Sequence, residues 1–479
     1  MVLAIIMALA VQLTACDRSE LRQRMNDGTA HEQYARSLAD AGLDGTALGR
    51  DWLESASHAL TSPTTVALPF REAGYFAPDE AGAIAYRVQP QRGQQLRVTV
   101  HARTSTPTGA HAGTSSTTPS GTPPGTPAHD VGDNLRQAPA VRLFVDLYEV
   151  PLDSTRRTRH IGGSDSLDVL LQTTAGRDVT YLIRLQPELL RDVRYEITVE
   201  VAPSLAFPVE GRDRRAVQSY WGAARDGGAR DHQGIDIFAA RGTPAIASAD
   251  GVVRNVRVTN LGGKVVWLSD TAAGQSLYYA HLDSQLVKPG DGVRVGDTLG
   301  LVGNTGNART TAPHLHFGIY RRGEGAVDPF PFVAAPRGRP PLLTADTIWL
   351  GRDARTARDE VMLRAAPSAS ATAVRAVAGS TMLLVEGASG NWLRVRLPDA
   401  TPGYLPASTV QSTTTPIRAG QLATNAPIHA QPSAASLVID SLGGEGGRMS
   451  SVPVLARYGE WLLVDPPEGR RGWVEMASR

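Results

Sequence analysis

Two short runs well separated in the chain, His232-Gln233-Gly234-Ile235-Asp236 and His314-Leu315-His316, restrict its possible folds more than any other feature of the sequence. Side chains of a β-strand alternate between faces, so His314 and His316 leave one face while Leu315 and Phe317 enter the other. Pro313 suits the first position of such a strand, where a missing N–H costs little. The same alternation predicts that an extended chain carries His232, Gly234 and Asp236 on one face and Ile235 and Ile237 on the other. Between the two runs lies Tyr279-Ala280-His281-Leu282. Zinc favours a tetrahedral shell of imidazole nitrogens and carboxylate oxygens, and a catalytic site keeps one position for water. Three ligands drawn from this set leave two histidines over for acid–base work. An isolated histidine among apolar residues is usually a packed residue, but four of the 11 histidines fall between His232 and His316, each in its own local pattern.

The segment from Arg225 through Asp250-Gly251-Val252-Val253, with His232-Gln233-Gly234-Ile235-Asp236 at its centre, resembles the lysostaphin-like zinc endopeptidases that cut peptidoglycan peptides. Tyr279-Ala280-His281-Leu282, Gly303-Asn304-Thr305-Gly306 and Pro313-His314-Leu315-His316-Phe317 follow in that family's order, and the likeness covers roughly residues 208 to 330. The resemblance implies that His232, Asp236 and His316 hold one Zn²⁺ and that His281 and His314 are the free catalytic imidazoles, one taking a proton from water and the other stabilising the oxyanion or protonating the leaving amine. It leaves open which does which. It also implies an antiparallel β-sheet peptidase domain over 206–335.

The rest of the chain reads as mainly β and multidomain. Its 479 residues suffice for several cores, and a net charge of +1 with scattered Lys and Arg gives no basic field for nucleic acid. The single cysteine, Cys16, excludes an internal disulfide. Residues 1–16 resemble a bacterial lipoprotein signal: an apolar run from Val2 to Leu13, too short to span a bilayer, then Leu13-Thr14-Ala15-Cys16. Lipidation at Cys16 is the expectation, with the domains on the periplasmic side of the envelope. Asp17 resembles a signal for retention in the inner membrane. No Lys or Arg precedes the apolar run, so the native start is expected upstream of Met1.

Residues 17–62 read as a helical hairpin, with Tyr34, Leu38 and Ala41 on one stripe, Leu48, Trp52 and Leu53 on a second, and a turn at Asp44-Gly45-Thr46. Over 63–205 the period changes to two, at Leu96, Val98 and Val100, at Val141, Leu143 and Val145, and at Tyr195, Ile197 and Val199, which predicts a β-sandwich-like accessory domain. A Thr/Ser/Pro/Gly tract at 104–127 interrupts it with a composition unable to build a core, and is expected to be disordered. The C-terminus holds a weak repeat: Trp392-Leu393-Arg394-Val395 with Gly403-Tyr404-Leu405, then Trp461-Leu462-Leu463-Val464 with Gly472-Trp473-Val474. It resembles tandem bacterial Src-homology-3-like domains, implying two small β-barrels over 345–412 and 420–479 with a role in wall binding. Their tryptophans are expected to be core anchors or exposed platforms.

Two functional classes remain. One is a zinc metalloendopeptidase acting on peptide cross-links of peptidoglycan. The other is a non-catalytic envelope protein of the same fold that binds or activates a cell wall hydrolase. Regulators of the second kind are expected to have lost metal ligands, and His232, Asp236 and His316 are all present.

Overall fold

The computed structural model describes residues 28–104, 141–151, 157–443 and 449–476. The expected signal and lipidation site at Cys16, and all of the 104–127 tract except Thr104, lie outside the described residues. Two helices open the described chain, α1 (Ala30–Asp40) and α2 (Ala47–Thr61). Thr29 and Glu32 form a reciprocal capping box on α1, and Thr46 caps α2 by accepting from Gly49 N–H. The apolar stripes meet at Leu38 and Trp52, which pack on Phe144. Trp52 Nε1 also donates to the Pro187 carbonyl at 2.9 Å, fastening the hairpin to the next domain.

That domain is two facing sheets. One contains Thr64–Thr65, Ile84–Val88, Leu143–Pro151, Arg159–Ser164 and Val179–Pro187; the other contains β1 (Phe70–Phe76), Gln94–Arg103, Asp168–Thr174 and Val193–Pro203. The alternation predicts its core: Leu96, Val98, Val100, Ile197 and Val199 of one sheet pack on Leu143, Val145, Ile183 and Leu185 of the other.

In the region 206–335, six strands carry the candidate site: β2 (Val217–Ser219), β3 (Ile235–Phe238), β4 (Gly251–Thr259), β5 (Gly263–Asp270), β6 (Gln275–Leu282) and β7 (His314–Arg321). They pair in the order β2-β3-β7-β6-β5-β4, with Gly292–Val293 beyond β4 and Gly325–Val327 beside β7. A smaller sheet of Pro244–Ile246, Thr298–Leu301 and Ser284–Gln285 covers one face. Ile235, Ile237, Leu315, Phe317 and Tyr279 bury completely against its Ala245, Leu299 and neighbouring Val302. The opposite face of β3, β7 and β6 is thereby left for polar groups.

At the C-terminus β8 (Met382–Ser389) pairs with β1, Ala73 opposite Ala388 and Gly74 opposite Gly387. The accessory sheet and the strands of 352–412 thus become one 11-stranded sheet. The second C-terminal unit is a six-stranded sheet running from Arg418–Ala423 to Val438–Ser441 at its two edges. The two small barrels expected here are not closed ones: among the described residues neither set of strands pairs into a ring, and the first is joined to β1. Trp461 and Trp473 are buried with Leu455, Ala456 and Leu463 as core anchors. Trp392 is only partly buried and lines a surface groove with Met362 and Pro406.

Candidate metal centre

Strands β3 and β7 run antiparallel with Asp236 directly opposite His316 and Phe238 opposite His314, and Ala280 of β6 flanks His316 on the other side. With the isoleucines, Leu315 and Phe317 locked into the core, Asp236, His314 and His316 can only face outward. His232 arrives differently from the prediction. β3 begins at Ile235, and His232 lies before a bend at Gly234, held by His232 N–H to Ala223 O and Gly222 N–H to His232 O, both 2.9 Å. The bend brings Gly234 against β7, where a Cβ would lie 2.6 Å from His316 Cε1 and from Phe317 O. Glycine there lets the two histidines approach.

The outcome is a nearly equilateral triangle. His232 Nε2 lies 2.9 Å from His316 Nδ1, His316 Nδ1 lies 3.0 Å from Asp236 Oδ1, and His232 Nε2 lies 3.0 Å from the same oxygen. His232 Nδ1 faces the Tyr220 carbonyl at 2.9 Å, an obligate acceptor, so its proton sits there and Nε2 presents a lone pair. At most one proton, on His316 Nδ1, is then available to three mutually facing acceptor atoms. A cation satisfies all three at once, and the donor set of two imidazoles and a carboxylate suits zinc, around which tetrahedral ligand atoms lie about 3.3–3.6 Å apart. The triangle is slightly tighter than one face of that tetrahedron. Among the described residues this is the one group of three such side chains close enough to share an ion. Burial works to raise the Asp236 pKa, but the hydrogen bond from His316 and the polar surroundings of the two imidazoles hold the carboxyl far below the ordinary range. Burial likewise lowers that of His316.

His281 and His314 stand beside the triangle, their rings 5.0 Å apart and His281 5.9 Å from His316. Each has Nδ1 against a carbonyl, Thr305 O at 2.9 Å and Ala312 O at 2.8 Å, which leaves Nε2 as the unprotonated nitrogen. Burial, then the charges of His316 and His314, push the His281 pKa down to about 4, keeping it neutral at neutral pH. Its backbone is left-handed, φ 61°, at a point where β6 carries one more residue than β5 between paired positions. The Gly262 carbonyl, accepting from His281 N–H at 2.7 Å, helps hold this strained conformation.

These side chains line a cleft of about 770 Å³ formed by residues between Ser219 and Tyr320, with no contribution from the accessory or C-terminal units among the described residues. One wall is aromatic: Trp267 packs on Tyr278 at 4.6 Å and on Tyr320 at 5.0 Å, and Tyr278 meets His316 edge-on at 5.8 Å. The sequence carried a signal for this wall, since Tyr320 and Tyr278 are even steps along their strands from His316 and Ala280. It carried none for Arg225, whose guanidinium reaches Asp236 Oδ2 at 2.7 Å.

Residues 230–329 match peptidase family M23. The chain is 36% identical over 141 residues to the L-Ala–D-Glu endopeptidase of Bacillus subtilis (strain 168), a match covering 27% of this chain and 43% of that protein. It is 38% identical over 118 residues to the peptidoglycan DD-endopeptidase ShyC of Vibrio cholerae, covering 23% and 26% respectively. Among solved structures, the catalytic domain of the antimicrobial peptidase lysostaphin from Staphylococcus simulans is 34% identical over 24% of this chain and 87% of that one, with a TM-score of 0.22. The matches thus span less than half the length of these two curated relatives. The triangle of His232, Asp236 and His316 and both neighbouring imidazoles fall inside the segment, 230–329, that matches peptidase family M23.

Proposed function

We propose that this protein is a zinc-dependent endopeptidase that hydrolyses peptide cross-links of peptidoglycan. The observation that carries the reading is the convergence of three ligand atoms beside two imidazoles whose Nε2 atoms are free to accept protons. Zinc held by His232 Nε2, Asp236 Oδ1 and His316 Nδ1 would supply Lewis acidity toward the scissile carbonyl and the attacking water. His281 and His314 then divide the remaining work, one receiving the water proton and the other stabilising the oxyanion or protonating the departing amine. The relative named as a peptidoglycan DD-endopeptidase supports the substrate class, and the different bond named for the L-Ala–D-Glu endopeptidase leaves the bond cut here open. A regulator that had given up catalysis would have no need of the complete triangle.

Lipid at Cys16 would hold the protein to the envelope on the periplasmic side, the inner membrane being favoured by Asp17. The C-terminal units, with the partly exposed Trp392, would add contacts to the wall. The decisive experiment is digestion of purified sacculi by the zinc-loaded chain, with products identified by mass spectrometry. New amino and carboxyl termini in the stem peptides are expected. Unaltered sacculi, together with stimulation of a separate wall hydrolase, would favour the regulatory class.

A further inference from the structure

Asp236 turns only one carboxylate oxygen, Oδ1, toward the triangle. Oδ2 accepts from Arg225 Nη2 at 2.7 Å, and the same nitrogen donates to Ser219 Oγ at 2.6 Å. Ser219 Oγ in turn lies 3.4 Å from His232 Nδ1, and a register shift after Val217 puts Ser219 opposite Asp236 on β3. One guanidinium therefore braces the outer side of one ligand directly and approaches a second through a hydroxyl.

Arg225 belongs to a two-stranded ribbon, Ala224–Arg225 paired with Arg230–Asp231, that joins neither larger sheet of the domain. The ribbon turns through Gly227 and Gly228 at φ 70° and 95°, and Arg225, Arg230 and Asp231 line the cleft. A segment this short has little stability of its own. It runs directly into His232 through Asp231, and its further ties to the metal centre include the side chain of Arg225 and, just before the ribbon, the backbone bonds of Gly222 and Ala223 to His232.

We propose that Arg225 is a positioning residue that confines Asp236 to donation through Oδ1 and couples the ribbon wall of the cleft to the metal. A charge-assisted hydrogen bond is short and strong, so it holds the carboxylate in its ligating orientation before the ion arrives. Linkage is reciprocal: if the ordered ribbon favours metal, metal favours the ordered ribbon. The inference rests on the proposed metal site but on no assumption about which bond is cut.

The test uses the full chain with Arg225→Met, Arg225→Lys and Ser219→Ala, titrating Zn²⁺ alone against a competing chelator and following amide hydrogen exchange over 224–231 with and without zinc. Arg225→Met is expected to raise the zinc Kd about 10- to 100-fold, the range typical of lost partners to metal ligands. Arg225→Lys should lose less, because an ammonium keeps a charged donor without the planar fork. Zinc should slow exchange in the ribbon of the wild type and fail to do so in Arg225→Met. Unchanged zinc affinity in a folded Arg225→Met protein overturns the proposal. If that variant does not fold, Ser219→Ala decides, since it keeps both charges and frees one side of the guanidinium. A measurable rise in zinc Kd supports the brace, and wild-type affinity with wild-type exchange overturns it. A wild-type chain that binds no zinc would instead remove the metal reading itself.

Discussion

Two of the buried polar clusters among the described residues are built on opposite principles. At the junction of the accessory and C-terminal strands, Glu72 is completely buried and accepts from Tyr86 Oη at 2.7 Å, Arg394 Nε at 2.9 Å and Tyr404 Oη at 2.6 Å. Tyr195 Oη completes the set, 3.0 Å from Tyr86 Oη and 3.2 Å from Arg394 Nη2. Every acceptor there meets a proton. Burial and the Glu72 charge push the Tyr86 and Tyr404 phenols well above their ordinary pKa, so both stay donors. At the metal centre, by contrast, three acceptors converge with at most one proton among them. Burial of charged groups is common to both, so it does not mark a functional site. A surplus of converging lone pairs does.

The largest expected effects break the metal cluster. His316→Ala should lose zinc and peptide hydrolysis together, whereas His281→Ala and His314→Ala should keep near-stoichiometric zinc while turnover falls by about 10²- to 10⁴-fold. Metal content measured by atomic spectroscopy beside turnover on a soluble cross-linked peptide separates the two groups. Loss of zinc in His314→Ala with retention in His316→Ala would reverse their assignment.

Glu72→Ala attacks the other cluster. It leaves the Arg394 guanidinium buried without its central partner, a change that costs about 3–5 kcal/mol, and it should lower the urea midpoint of the accessory and C-terminal unit. Zinc affinity and turnover on a soluble peptide should stay at wild-type values, because among the described residues the cleft is lined only by those between Ser219 and Tyr320. If zinc affinity falls with the urea midpoint, the two clusters are coupled and the contrast between them fails.

Local periodicity made much of the metal site legible. The alternation at His314-Leu315-His316 and at Ile235-Asp236-Ile237 fixes which side chains enter the core, and strand pairing then brings Asp236 to His316. Alternation gave the right face for His232 by the wrong route, since a bend at Gly234 supplies the approach. The bulge that aims His281 leaves no periodic trace, and Arg225 is found only when the ribbon is folded back over β3. The C-terminal repeat contains Arg394 and Tyr404, but pairing of Ala73 with Ala388 spans most of the chain, and nothing local announces it. The isolated acid in Phe70-Arg71-Glu72-Ala73-Gly74-Tyr75-Phe76 was the available hint: alternation puts Glu72 on the same face as Phe70 and Phe76, both buried, where a charge requires partners from elsewhere.

The smallest expected effect sharpens the comparison further. Tyr404→Phe deletes one hydroxyl and leaves the ring in place. It removes the donor to Glu72 Oε2 while Tyr86 and Arg394 still serve Oε1. A hydrogen bond to a charged group contributes about 1.5–3 kcal/mol, so the loss should be smaller than for Glu72→Ala and visible in the same unfolding measurement. Combining the two variants tests the source of the effect, because in a Glu72→Ala background the hydroxyl has no carboxylate to serve and its removal should cost far less. Strict additivity would show instead that Tyr404 stabilises the junction independently of Glu72. Since the cluster holds no converging lone pairs, none of these variants should create or abolish zinc binding.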